Sequence, residues 1–310
     1  MSKSHIMLAA ALLGGGTAHA AAADAPPEQV IPVPGFADFI AVDGKSIWVT
    51  NRTKVERWSR EGKLAESAMT RACGAMTVFQ KSLWVADCKD NAVIRIESKT
   101  GKRLAAIPTG IANRAGELNV VSGAGSIWIA SDDAGLVSRI DPKTNTVVAT
   151  VKVDSGTWYL AYGFGALWAV SSNQQSVQRI DPKTNSVTKR TALGKTPGFL
   201  AAGVGGVWVQ EQGDGTVARV DPRSGEVTGR AKVGEVLKYG DIDTGGGKVW
   251  VRTTEEQTFV VIDPKRMTTV ARLGKPEGSG ALRYTSAGIW TSAHDVHTIT
   301  WWPAPAKIAK

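Results

Sequence analysis

Along the chain, short runs rich in Val, Ile, Leu and aromatic residues are separated by clusters of Gly, Pro, Asn and Asp, the pattern of half-buried strands between turns. No stretch carries apolar residues at helical spacing. One residue type supplies a ruler. Trp48, Trp84, Trp128, Trp168, Trp208, Trp250 and Trp290 each follow Ile, Leu or Val, and their successive spacings are 36, 44, 40, 40, 42 and 40 residues. A period near forty built only of strands predicts an all-β, seven-bladed β-propeller, with the tryptophans filling the space between neighbouring sheets.

Each unit reads as an inner strand, a Gly-rich turn, the tryptophan strand, a third strand ending in RIDPKTN, and a fourth strand such as 147–153. The motif starts at Arg139 and Arg179 and recurs as RVDPRSG from Arg219, VIDPKRM from Val261 and RIESKTG from Arg95. Its chemistry is that of a turn. Asp141 accepts from amides two residues on, Pro142 presets φ, and Asn145 tolerates the left-handed conformation. The in-phase Asp141, Asp181, Asp221 and Asp263 are therefore scaffold residues. The seventh unit has an inner strand (281–285), a tryptophan strand (288–292) and a third strand (296–302), then runs into PAPAKIAK with no fourth strand. Residues 28–35, EQVIPVPG, match the outer strands of other units, so the N-terminal strand is expected to close the last blade.

The first residues change the picture of where the protein works. Lys3, an apolar run over 6–13 and the triplet Ala18, His19, Ala20 describe a cleavable signal over residues 1–20, which leaves a single propeller domain over 21–310. No later run is long and apolar enough for a transmembrane anchor. The expected location is periplasmic or secreted, and the expected state a monomer. The formal net charge of +9 falls to +8 when Lys3 is lost with the signal. Outside the cytoplasm such a protein meets small anions, envelope polymers and other proteins rather than nucleic acid.

Cys73 and Cys88 are the only cysteines. With Gln80 and Lys81 as a two-residue hairpin turn, Phe79 faces Ser82 and Cys73 faces Cys88, a pairing that predicts a disulfide in an oxidising compartment.

Propeller ligands meet the face formed by the loops entering the inner strands and those leaving the tryptophan strands. The entry loops carry Arg71, Arg114, Trp158 with Tyr159, Lys195, Lys238 with Tyr239, and Lys275, a basic rim suited to an anionic ligand. Asp38, Glu117, Asn119, Asp241, Asp243 and Arg283 lie at the starts of inner strands. Asp243 and Arg283 hold equivalent positions in adjacent units and are read as an interblade salt bridge.

Trp48, Val49, Thr50 and Asn51, together with SRIDPKTNTVVATVKV from Ser138, resemble the YVTN-repeat propellers, and the likeness extends to the virginiamycin B lyase-like propellers. The lyase resemblance implies a histidine and a Glu-x-His pair with magnesium on the upper face. After the signal this chain has only His294 and His297 and no Glu-x-His, with Asp295 beside His294 as a weak substitute. That departure counts against the lyase activity. The gluconolactonase and regucalcin propellers suggest instead a Ca or Mg site of oxygen donors, for which Asp38, Asn119, Asp241 and Asp243 are the candidates.

Three functions stay open. The leading one is a non-catalytic binding or scaffolding propeller recognising an anionic small molecule, an envelope polymer or a periplasmic protein. The second is a metal-assisted lyase or lactonase using His294, Asp241 and Asp243. The third is an accessory partner of a periplasmic redox enzyme, since no haem-attachment motif is present.

Overall fold

The computed structural model describes residues 27–110, 117–131, 134–238, 240–254, 256–276 and 278–309. The expected signal (1–20), Arg114 and Tyr239 lie outside the described residues. The strands form seven four-stranded antiparallel sheets. Each inner strand lies beside the next, and the last, Leu282–Tyr284, returns to the first, Ile40–Asp43, so the sheets close a ring. The blades span 40–68, 72–108, 120–152, 157–192, 197–232 and 241–273, and the seventh joins 282–303 to the strand Gln29–Pro32.

All seven ruler tryptophans are almost fully buried. Burying an indole removes on the order of 200 Å² from water, which makes these the largest apolar contributions between sheets. Most also carry a polar anchor. Trp84, Trp128, Trp168, Trp208 and Trp250 donate their indole N–H to the carbonyl five residues earlier, at 3.0–3.2 Å. In blades 3 to 6 that residue is Gly123, Gly163, Gly203 or Gly245, because a Cβ there would collide with Tyr162, Ala202, Thr244 or Tyr284 of the next inner strand.

The RIDPKTN turns form as their composition requires. Asp141, Asp181, Asp221 and Asp263 each accept from the amide two residues on, at 2.8–2.9 Å, and Asn145 and Asn185 take φ of 57° and 53°. The motif also holds blades together through its arginine, a role the turn chemistry alone does not disclose. Arg95 and Arg139 stack over the tryptophans of their own blades, Trp84 and Trp128, at 4.8 and 4.9 Å from the ring centroids. Each then reaches the turn of the following blade. Arg95 donates to the Pro142 carbonyl (2.7 Å) and Asn145 Oδ1 (2.9 Å), and Arg139 does the same at Pro182 and Asn185. The clasp depends on asparagine. Where the next turn has Gly225 or Met267 in its place, Arg179 turns back to Thr188 and Arg219 to the Gly205 carbonyl.

The ring closes as expected. Gln29–Pro32 pairs antiparallel with Thr298–Pro303, with Val30 opposite Thr300. Residues 33–36 are held by Val33 N–H donating to the His297 carbonyl (2.7 Å), His297 Nδ1 to the Gly35 carbonyl (2.5 Å) and Phe36 N–H to Asn51 Oδ1 (2.6 Å). The seam between blades 7 and 1 differs from the others. Trp301 occupies the arginine position, opposite Trp290, and Arg60 of blade 1 lies over its ring at 5.8 Å. A cavity of about 780 Å³ opens beneath this seam, lined by Asp43, Arg57, Arg60, Trp290 and Trp301. Beyond the last strand, a four-residue helix, Pro305–Ile308, packs Ile308 into the cluster around Trp250.

The Cys73–Cys88 disulfide is present, with Cα atoms 6.0 Å apart. The expected register is not. Phe79 does face Ser82, but a bulge after Cys73 shifts the pairing so that Cys73 faces Ala86. The bulge contains Gly74, whose φ of 76° and approach to the Leu118 backbone leave no room for a side chain. The bond thus joins Cys73 to the loop beyond the tryptophan strand.

Two measurements check this account. Deleting 28–35 strips the last sheet of its outer strand and is expected to yield aggregating protein, whereas deleting 21–25 leaves the melting temperature unchanged. Asn185→Gly is expected to cost about 1 kcal/mol, roughly 2 °C in melting temperature, by unclasping Arg139. Gly225→Asn is expected to add a similar amount by giving Arg179 an acceptor, with only the flexible Lys189 side chain in the way.

Candidate functional site

The position nine residues before each ruler tryptophan opens the inner-strand region of each blade. Around the ring it reads Phe39, Ala75, Asn119, Tyr159, Phe199, Asp241 and Ala281. The three aromatic residues among them meet at one cavity. Tyr159 and Phe199 lie 4.2 Å apart between centroids, and Phe39 and Phe199 6.3 Å. With Phe36, Asp38, Glu117, Gln212, His294 and Asp295 they line a funnel of about 440 Å³.

Two carboxyls in this funnel are held against their usual behaviour. Burial, then the nearby carboxylates of Glu117, Asp241 and Asp295, raise Asp38 well above the usual 3.8. No hydrogen bond reaches its carboxyl from the described residues; its backbone pairs with Thr50 and accepts from Ser292. Glu117 is also raised by burial, although the Tyr159 hydroxyl, donating at 3.4 Å, and Arg71 oppose the shift. Burial lowers His294, whose Nδ1 contacts Asp295 Oδ1 while its ring stacks on Phe36 at 4.0 Å.

A second cavity of about 480 Å³ adjoins the funnel and shares Phe36, Asp38, Phe39 and Glu117 with it; its far side carries Arg52, Arg71, Lys89, Thr53 and Thr70. Arg52 lies over Phe36 at 5.2 Å. The buried Asp87 shapes this shoulder by accepting from the amides of Thr70 (2.7 Å) and Arg71 (2.9 Å). The disulfide ties the two loops that present Arg71 and Lys89.

The expected residues separate into groups. Arg71, Asp38, Tyr159 and His294 meet on the upper face. Lys195 and Lys238 line neither cavity, and Trp158 packs against the core. Asp241, Asp243, Asn119 and Arg283 lie lower in the channel. The interblade ion pair exists but uses a different acid. Arg283 bonds Asp241, whose carboxylate also accepts from Leu282 N–H at 3.1 Å. Asp243 accepts from the Tyr284 amide at 2.8 Å. The reason is geometric: each carboxylate caps amides of the adjoining inner strand, and the arginine bends back toward the upper one. Asn119 Oδ1 accepts from Ala75 N–H at 3.3 Å. These donors are thus occupied, and among the described residues no three His, Cys, Asp or Glu converge on a point where a metal ion would sit. Nearby, Arg252 gives its guanidinium to the carbonyls of Thr253, Thr258, Gly278 and Ser292, and burial pushes it down to about 10.

Comparison with known proteins bears on the architecture. The profile of a repeat of unknown function, DUF6923, matches residues 87–214. No curated protein matches the sequence. Virginiamycin B lyase from Staphylococcus aureus is similar in structure, with 15% identity and a TM-score of 0.75 over 90% of this chain and 99% of the lyase. A Kuenenia stuttgartiensis hydrazine synthase chain has 11% identity and a TM-score of 0.73 over 95% and 99%. BamB from Moraxella catarrhalis has 14% identity and a TM-score of 0.61 over 87% and 85%. The chain is a seven-bladed propeller that shares its fold with all three.

Phe36, Phe39, Phe199 and Gln212 were not among the expected site residues, and Asp295 was expected only as a weak partner of His294. The signal for Phe39 and Phe199 lay in the ruler itself, since both stand nine residues before a tryptophan, as Tyr159 does. Asp38 supplies a test of the site's electrostatics. A carboxyl whose folded value is raised favours the fold below its usual 3.8 and loses that advantage as pH climbs toward the raised value. Asp38→Asn is therefore expected to melt above the wild type at about pH 8 and level with it at about pH 4. An equal difference at both pH values would show that Asp38 is not the strained acid.

Proposed function

We propose that the protein is an exported binding propeller of the cell envelope whose upper face captures a ligand bearing an acidic group. The observation that carries this reading is the pair of adjoining cavities sharing one aromatic wall, with Arg52, Arg71 and Lys89 gathered at the outer end. Three cations at one mouth sum their potentials and raise the local concentration of an anion. The signal over 1–20 supports export, and the disulfide is compatible with an oxidising compartment. Of the basic rim expected from the entry loops, this reading keeps Arg71 and adds Arg52 and Lys89. Lys195, Lys238 and Lys275 then contribute only long-range potential. A partner protein presenting an acidic side chain or C-terminus fits the same shoulder.

A second reading is chemistry in the funnel, of lyase or lactonase type. His294 favours it, since the ring is held by Phe36 and Asp295 at the funnel wall and is kept neutral by burial. A neutral imidazole there can take a proton from a ligand. The metal-assisted form of this reading has no donor set to rest on among the described residues.

Calorimetry with phenyl phosphate tests the first reading. Replacing Arg52, Arg71 and Lys89 by Gln is expected to weaken binding about tenfold or more at low salt and to flatten its salt dependence. Replacing Lys99, Lys143, Lys183 and Arg223, which lie in the turns of the opposite face, is expected to leave binding unchanged. Equal losses in both proteins would show the charge to be a diffuse property of the surface.

A further inference from the structure

The funnel beside the basic shoulder is built for the opposite charge. Phe36, Phe39, Tyr159 and Phe199 line it with ring surface, and Asp38 and Glu117 place carboxyls on the same wall. Arg71 stands toward Glu117 from the shoulder, and the arginines deeper in the channel are committed elsewhere. Arg252 is spent on four carbonyls and Arg283 on Asp241, while Arg52 lies over the Phe36 ring. The Asp38 carboxyl is left without a donor from the described residues, which is costly for a largely enclosed acid unless a ligand supplies one. A hard metal ion would require several oxygen donors at one point, and these do not converge. A bulky organic ammonium needs no such convergence. It is attracted by ring faces within about 6 Å and by carboxylates a little farther off.

We propose that the funnel is a binding site for an organic cation, a primary or methylated ammonium carried on an apolar or aromatic body. The aromatic rings come from blades 1, 4 and 5 and from the closing segment, so the cage is complete only in the closed ring. The inference rests on reading the upper face as a ligand surface, and it deepens that reading. A ligand with its ammonium in the funnel and an acidic group on the shoulder would span both cavities, which makes an amphoteric molecule such as a short peptide the natural class.

The charge state of the wall gives the inference a pH signature. Asp38 is faced by Glu117, Asp241, Asp295 and Arg252, and Glu117 by Tyr159 and Arg71. Both acids hold their protons to higher pH than free carboxyls do, so cation binding is expected to fall away on acidification earlier than the titration of an ordinary carboxylate would dictate.

The test uses the mature protein and three probes in calorimetry: 2-phenylethylamine, its uncharged analogue 2-phenylethanol, and phenyl phosphate. The amine is expected to bind about tenfold more tightly than the alcohol. Asp38→Asn and Glu117→Gln are each expected to weaken the amine about fivefold or more without changing the alcohol, and Phe199→Leu to weaken both. Thermal melts of the same proteins report that they are folded. Equal affinity for amine and alcohol, or an amine affinity indifferent to Asp38→Asn in the folded variant, overturns the inference. If phenyl phosphate still binds through Arg52, Arg71 and Lys89 in that case, the reading of the shoulder survives while the cation site does not. The converse result, amine bound and phenyl phosphate ignored, supports the cation site and removes the shoulder.

Discussion

The structure depends on one wedge of contact repeated around the ring: a buried tryptophan between two sheets, its indole N–H in five of the seven blades tied to the end of the inner strand at the turn of its own hairpin. This anchor sets how far each inner strand stands from the next and which of its residues face the axis. The channel wall follows from it. Position nine before the tryptophan brings Phe39, Tyr159 and Phe199 to one funnel, and Asp38, just before Phe39, comes with them. The site is thus a by-product of scaffold register on which a few blades carry chemistry and the rest carry Ala.

Much of the architecture was legible because a repeat multiplies weak signals. One Trp or one Asp-Pro turn says little, but seven tryptophans in phase name the blade, and the missing fourth strand of the last unit names the closing strand. The disulfide was legible in its partners but not in its register, since a bulge at Gly74 is visible only when Leu118 packs against it. The ion pair of Arg283 shows the same limit. Equivalence of position pointed to Asp243, and the side-chain path of the arginine leads to Asp241 two residues earlier.

The site was less legible for a physical reason. Loop cations attract notice in a sequence, whereas the aromatic residues of the funnel look like ordinary core. Phe39, Tyr159 and Phe199 are indeed buried for most of their surface. Their meaning comes from the partners the ring brings across, chiefly Asp38 from the closing segment and Glu117 two blades away. The face expected to be basic is therefore divided, with cations on its shoulder and acids at its centre.

The seam between blades 7 and 1 can be viewed as the closing joint of a machined ring. Each of the other sheets is followed by the next along the chain, whereas here the two chain ends must meet. They meet where Trp301 replaces the clasping arginine and a cavity of about 780 Å³ lies beneath the sheets. The joint also carries Phe36, His294 and Asp295 on its upper side. The same chain end that closes the ring therefore also sets the aperture of its mouth.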